Sequence, residues 1–233
     1  MPPVDFPTGI ILASGLSTRM GYCKQLHPLC GKPLIRYVLE TLLEAGLTRF
    51  VITVNSQTRQ PIAALVETFT AENRLREGAF HCDIVFNAEP ERGQGFSTGL
   101  AVKTARMQNP SGFLFCTADQ PFLRPESVAV LCSVFRSNPG RIVSAVFNGK
   151  RCSPVAFPVS LAGELCVLDG TIGGRAVMDA HRGLVMLSPL QEEMEMFDID
   201  TPADFRRGEN YLKGYMDYGA SSASHGGDCH VLR

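Results

Sequence analysis

The chain has 233 residues, 45% of them hydrophobic and 19% charged, with a net charge of −1. That length suits one large domain or two small ones around a sizeable core, and the near-neutral balance excludes recruitment of nucleic acid or an anionic membrane by a global basic field. No apolar run approaches the roughly 20 residues a membrane span needs, and MPPVDFPTG lacks the basic-then-apolar order of a signal peptide.

The first predicted strand is GIILA, Gly9–Ala13, which empties into a stretch of small residues in which Arg19 and Lys24 are the charges. From Pro33, PLIRYVLETLLEAG places Leu34, Ile35, Val38, Leu39, Leu42 and Leu43 on one helical stripe, with Pro33 in its first turn and Gly46 as its stop. Arg49–Val54 is a strand, and Ile62, Leu65, Val66 and Phe69 mark a second helix. Strands follow at Cys82–Asn87, Gly112–Ala118 and Arg141–Phe147. Between them fall a less regular helical stripe of Leu100, Val102, Ala105 and Met107, and another of Val128, Val130, Leu131, Val134 and Phe135 after Pro125. This alternation predicts an α/β fold, a mostly parallel central sheet with helices on both faces.

Beyond Phe147 the rhythm changes. PVAFP and EMEMFDI read as strands, with helices near Leu161–Leu168 and Gly174–His181 and a closing helix over Thr201–Met216. Residues 217–233 are small, polar and Gly/Ser-rich, which predicts a flexible tail. No linker divides the rest, so residues 1–216 are expected to form a single domain. The eight cysteines, Cys23, Cys30, Cys82, Cys116, Cys132, Cys152, Cys166 and Cys229, are scattered and lie mostly in apolar runs. Buried free thiols in a reducing, cytoplasmic setting are the expectation. The tail's His225, Cys229 and His230 are read as adventitious metal chemistry on a flexible end.

In parallel sheets the first βα loop is the usual phosphate cradle, because glycines let backbone amides approach phosphate oxygens and nearby cations neutralise the remainder. GIILASGLSTRMGYCK has that order, although an ordinary surface loop with two solvated cations reads the same way. The ATPase P-loop is excluded, since Gly15 and Gly21 are one residue too far apart and Lys24 does not follow Gly21; Gly-x-Gly-x-x-Gly is absent too. Asp119 leaves an apolar strand at its C-terminal end, where a phosphate-bound metal would sit, or it is a turn residue before Pro121. Asp200 is either a helix N-cap or a second acid near that metal. Asp198 points the opposite way if the segment is extended.

Leu12-Ala-Ser-Gly-Leu-Ser-Thr-Arg-Met-Gly21, then Lys24, then Gly31-Lys-Pro-Leu34, resembles the nucleotidyltransferase superfamily of the sugar-nucleotide pyrophosphorylases. Within it the chain is most similar to the MobA-like branch, whose members attach CMP or GMP to molybdopterin, and the resemblance runs from about Gly9 to Phe205. It implies a three-layer, Rossmann-like nucleotidyltransferase fold with a nucleotide-binding half over about residues 9–120 and an acceptor-binding half over about 121–210. It further implies that Leu12, Ala13, Ser14 and Gly15 wrap a triphosphate against Arg19 and Lys24, that Asp119 and Asp200 hold Mg²⁺ or Mn²⁺, and that Gln94, Gly95 and Ser97 face the base. Arg19, Lys24 and Asp119 become the expected catalytic groups, with Arg92 a further guess against phosphate.

Ser14 stands where guanylyl members resemble one another in having Gly and cytidylyl members in having Ala, which favours CTP over GTP and a molybdenum cofactor cytidylyltransferase serving a molybdenum hydroxylase. Two segments depart from the cytidylyl pattern: Arg151-Cys-Ser-Pro154 replaces Gly-His-Pro, and Asp169-Gly-Thr-Ile-Gly-Gly-Arg175 carries an insertion. Lys150 and Arg175 are candidates for the acceptor phosphate, or solvated surface cations. Rival readings are a transferase acting on a sugar phosphate or other small phosphate, a non-catalytic accessory that binds the finished cofactor, and a serine esterase built on Gly95-Phe-Ser-Thr-Gly99 with Ser97 and His181. The polar, Pro-containing run before Ser97 argues against the last, since a nucleophile elbow directly follows a buried strand. His27 and His81 are given no catalytic part.

Overall fold

The computed structural model describes residues 6–16, 20–73 and 80–223, with side chains through residue 214. In chain order, the elements are strand β1 (Thr8–Leu12), a short hairpin of β2 (Pro28–Leu29) and β3 (Lys32–Pro33), helix α1 (Leu34–Glu44), β4 (Arg49–Val54), α2 (Arg59–Glu72), β5 (His81–Phe86), α3 (Gln94–Ala105) and β6 (Gly112–Thr117). Then come α4 (Pro125–Ser137), β7 (Ile142–Phe147), β8 (Lys150–Pro158), α5 (Ala162–Cys166), α6 (Arg175–Ala180), β9 (Val185–Pro189) and α7 (Pro202–Ala223).

Seven strands form one sheet in the order β5-β4-β1-β6-β8-β7-β9. β1 pairs in parallel with β4 and β6, and β4 with β5, whereas β8 runs antiparallel to both of its neighbours. The chain builds outward from β1 to β4 and β5, then crosses back to place β6 on β1's other side. Strand order therefore reverses between β1 and β6, and a crevice opens beyond their C-terminal ends, the place where open α/β sheets bind ligands.

Alternate residues of the central strands feed opposite faces of the sheet. Ile11, Ile52, Leu114 and Cys116 pack with α1, α2 and α4, while Ile10, Val51 and Phe113 pack with α3, α5 and α6. The result is a three-layer, mostly parallel α/β fold. A third apolar cluster (Met20, Leu29, Leu34, Phe122, Ile199 and Phe205) fastens α7 and the β2–β3 hairpin over the crevice end of the sheet.

Helix α1 ends as its sequence promised. Gly46 has φ +97°, which a residue with a Cβ rarely adopts, and the Gly46 and Leu47 amides donate back to the Leu43 and Leu42 carbonyls. The less regular α3 stripe is otherwise. The buried face of α3 consists of Gly95, Ser97, Thr98, Gly99, Ala101, Val102 and Ala105, and Met107 lies past its end with 88% of its surface exposed. Val130, placed on the α4 stripe by periodicity, is likewise exposed.

Two elements differ from the sequence-based expectation. EMEMFDI is not a strand: Glu193–Met196 form a single 3₁₀ turn. The buried Glu195 carboxylate accepts from the Gln191 and Glu192 amides and, across the fold, from the Arg124 amide, which curls the backbone instead of extending it. A strand nonetheless exists nearby, since β9 pairs in parallel with β7 at the edge of the sheet. α7 begins where expected, with Thr201 and Asp204 exchanging hydrogen bonds as a capping pair, but continues to Ala223 into the stretch expected as a tail. His225, Cys229 and His230 lie outside the described residues. Among the described residues no helix is long and apolar enough to cross a membrane. Among the described residues seven cysteines are free thiols; Cys116, Cys132 and Cys166 are buried, and Cys30, at the β2–β3 turn, is exposed.

Candidate active site

The crevice beyond β1 and β6 is a cleft of about 360 Å³. Leu12, Ser14, Gly15, Lys24, Gln94, Ser97, Asp119 and Asp200 all line it, so most residues singled out from the sequence meet at one place. Ala13 does not join them. Its amide donates to the Thr53 carbonyl at 3.1 Å, continuing the sheet ladder, and its side chain is in the core. The next two carbonyls are also engaged: Asn55 Nδ2 donates to Ser14 at 3.1 Å and to Gly15 at 3.4 Å, and Gln25 Nε2 donates to Gly15. Among the described residues neither the Ser14 nor the Gly15 amide donates elsewhere, and such amides favour an anion. Arg19 lies outside the described residues.

The charged end of the cleft is built from three distant segments. Asp119 follows β6, Asp200 precedes α7, and Lys24 opens the 3₁₀ turn Lys24–Leu26. Lys24 Nζ donates to Asp119 Oδ2 at 2.6 Å and to Asp200 Oδ1 at 2.5 Å. Burial works to lower the Lys24 pKa, but the charge and hydrogen bonds of Asp119 and Asp200 outweigh it and hold the ammonium above its ordinary value. Because Thr201 caps α7, the Asp200 side chain is not spent on capping. Asp119 Oδ1 is buried and has no hydrogen-bond partner, an open lone pair of the kind a hard cation takes. Asp119 and Asp200 therefore fit a divalent cation, although no cluster of three or more acidic, His or Cys residues exists among the described residues. Asp198 is exposed and does not line the cleft; desolvation, with the charges of Asp119 and Asp200, pushes its carboxyl up to about 6, against a hydrogen bond from Gln120.

The opposite wall of the cleft is the start of α3. Ser97 Oγ shares a 2.8 Å hydrogen bond with Ser14 Oγ and accepts one from Asn87 Nδ2 at 3.0 Å, tying α3 to the β1 loop and to the end of β5. Those partners correct the esterase reading. Ser97 sits inside the helix, not on a strand-to-helix elbow, and the His181 ring bonds Glu164 at 2.9 Å. Gly95 does not line the cleft; its amide donates to the Gly170 carbonyl at 2.8 Å. A Cβ there would stand 2.5 Å from the Asp169 carbonyl oxygen, and one on Gly93 2.6 Å from that of Gly170. These glycines let α3 pack against segment 166–174. Arg92, guessed for phosphate, instead closes on Asp169 at 2.7 Å and stacks on Phe96.

A second cavity of about 210 Å³ adjoins the first, sharing Leu12, Gln94 and Thr117 with it. Phe115, Val155, Phe157 and Met178 line its apolar part, and Arg151 and Arg175 also line it. Arg151 donates to Asp179 at 3.0 Å. Lys150 is elsewhere, exposed at the β7–β8 turn. Burial pushes the Cys152 thiol beside this cavity up to about 11, so it stays protonated near neutral pH. Sequence reasoning missed Gln25, Asn55, Asn87 and Arg151; the first three carry a faint signal, an amide side chain directly after a strand or the glycine-rich loop.

The doubly wound sheet thus carries a small-residue loop, a lysine and two carboxylates at its switch point. The chain belongs to the MobA-like NTP transferase domain family, whose model matches residues 9–184. It is 30% identical to the bifunctional protein GlmU of Sorangium cellulosum across 97% of this chain, spanning 46% of that relative's length. It is 29% identical to a probable molybdenum cofactor guanylyltransferase of Natranaerobius thermophilus, across 62% of each protein. Among solved structures it resembles Rv0371c of Mycobacterium tuberculosis H37Rv, with a TM-score of 0.69 and 21% identity over 90% of this chain and 100% of that one; the manganese complex of the same protein has a TM-score of 0.65, at 19% identity over 88% and 98%.

Proposed function

We propose that this chain transfers a nucleotidyl group from a nucleoside triphosphate to a phosphate-bearing acceptor, releasing pyrophosphate, with CTP as donor and a molybdopterin-type cofactor as acceptor. The observation that carries the proposal is the convergence of Lys24, Asp119 and Asp200 on one cleft beside a loop whose Ser14 and Gly15 carbonyls are bonded to Asn55 and Gln25. GTP is the alternative donor; the Ser14 hydroxyl, bonded to Ser97, fills space that a glycine would leave, and this supports the smaller base. The Natranaerobius relative, a probable molybdenum cofactor guanylyltransferase, supports the acceptor and with it the GTP alternative, while GlmU, by its name, gives no such support.

An acceptor phosphate oxygen forms a bond to the α-phosphorus, and the bond from that phosphorus to the bridging oxygen breaks, so the electron pair leaves with pyrophosphate. The acceptor is already ionised, so the chain needs no strong base. The Ser14 and Gly15 amides and Lys24 bind and orient the triphosphate, with Arg19 expected beside them, and Gln94 and Ser97 offer polar groups to the base. Asp119 and Asp200 would hold Mg²⁺ or Mn²⁺, which neutralises phosphate charge when bound; manganese in the Rv0371c complex is in keeping with this. In the adjoining cavity, Arg175 and Arg151 face the acceptor's anionic group; Lys150 is set aside on its position. Residues 1–216 act as one domain, and the reaction belongs to the cytoplasm.

The test is pyrophosphate release with each triphosphate and candidate acceptor. CTP with the pterin acceptor should lead, and Asp119→Asn should lower turnover roughly a hundredfold or more at unchanged circular dichroism. Equal turnover in Asp119→Asn would remove Asp119 from the mechanism. Absence of CTP binding by calorimetry with Mg²⁺ would favour the accessory-protein alternative, whose partner would be a molybdenum hydroxylase.

A further inference from the structure

The two carboxylates suited to a divalent cation already hold a cation that belongs to the protein. Lys24 Nζ lies within 2.6 Å of Asp119 Oδ2 and 2.5 Å of Asp200 Oδ1, and Lys24 and Asp119 are largely buried. A magnesium or manganese ion held here would draw on oxygens of the same two carboxylates. An ammonium bonded to Asp119 Oδ2 and Asp200 Oδ1 would then share both carboxylates with the metal, even one that takes the open Asp119 Oδ1, and two like charges would lie a few ångströms apart in a partly dry cleft. Lysine and metal therefore oppose each other at this pair. Lys24 reaches the carboxylates from the cleft floor that it shares with Ser14 and Gly15, so a triphosphate lying there offers it replacement oxygens.

We propose that Lys24 competes with the divalent cation for Asp119 and Asp200, and that the triphosphate relieves the competition by drawing the ammonium onto its own oxygens. Metal and nucleotide then bind as a coupled pair, and each alone binds weakly. The coupling is reciprocal: a metal-free triphosphate must pull Lys24 from its partners and leave two bare carboxylates facing its own charge. This inference rests on the metal assignment made above for Asp119 and Asp200. Its consequence is ordering without a moving domain, since one side chain exchanges partners within a single cleft.

Manganese binding followed by electron paramagnetic resonance tests it without any turnover. Free Mn²⁺ is titrated against the wild type, Lys24→Met and Lys24→Met/Asp119→Asn, with and without CTP, and corrected for Mn²⁺–CTP formed in buffer. Lys24→Met should bind Mn²⁺ about tenfold or more tighter than the wild type when CTP is absent, and the boost that CTP gives should shrink by a similar factor. Adding Asp119→Asn should abolish that gain. Lys24→Gln serves as the second variant should Lys24→Met melt below the assay temperature. Unchanged Mn²⁺ affinity in the lysine variants would overturn the competition while leaving the metal site standing, provided Asp119→Asn still weakens Mn²⁺–CTP binding to the wild type. A gain that survives Asp119→Asn would overturn both.

Discussion

Lys24 illustrates how little a residue's type says about its setting. As a cation after a glycine-rich loop it is unremarked; bonded at once to carboxylates 95 and 176 positions away it becomes the hub of the cleft. Gly95 makes the opposite case. Its place in Gly-Gln-Gly-x-Ser suggests nucleotide contact, but the space beside its Cα is filled by the Asp169 and Ile172 carbonyls. Gly95→Ala should therefore destabilise the fold by about 1–3 kcal/mol, read from urea denaturation, because backbone atoms and not a flexible side chain must give way. The buried Glu195 belongs to the same scale. Its carboxylate satisfies three backbone amides, so Glu195→Ala leaves buried donors unpaired and should cost about 2–4 kcal/mol in the same measurement.

Elements were legible where burial followed a period. The stripes on α1 and α2 and the apolar runs of β1, β4 and β6 are one-faced or fully buried, so pattern and structure coincide. β9 was not legible because most of its residues are half-exposed at the sheet edge, which erases alternation. α3 was blurred because close packing against segment 166–174 selects small residues in place of a leucine stripe. Partial burial works to raise the Glu40 carboxyl, but Lys32 of β3 and Arg36 of α1 outweigh it and hold it below the usual carboxylate range. A depressed folded-state pKa contributes stability above the unfolded value that is lost as pH falls through the folded one. Glu40→Gln should thus be less stable than the wild type at pH 7, by no more than about 1 kcal/mol for this half-exposed pair, and the difference should vanish in acid denaturation profiles once the wild-type carboxyl is protonated.

At the scale of the molecule, one sheet does two jobs. Its hydrophobic faces carry the stability: Phe113 is fully buried between β6 and the helices on the α3 face, and Phe113→Ala should cost about 3–5 kcal/mol in global unfolding while leaving the cleft's polar residues in place. Its C-terminal edge carries the site, through the reversal of strand order between β1 and β6. The antiparallel β8 beside β6 brings Arg151 and Phe157 to the second cavity, next to the first across Leu12, Gln94 and Thr117.

The amino-acid sequence alone determined the fold class, the loop after β1 and the identities of Lys24, Asp119 and Asp200 as groups of interest, because hydrophobic period and residue chemistry are local properties. Tertiary structure alone decided that those three groups meet, that Gly95 packs against segment 166–174 and that Glu195 bends its segment. Each depends on which distant backbone or side chain arrives alongside, and chain crossover, not local propensity, fixes that.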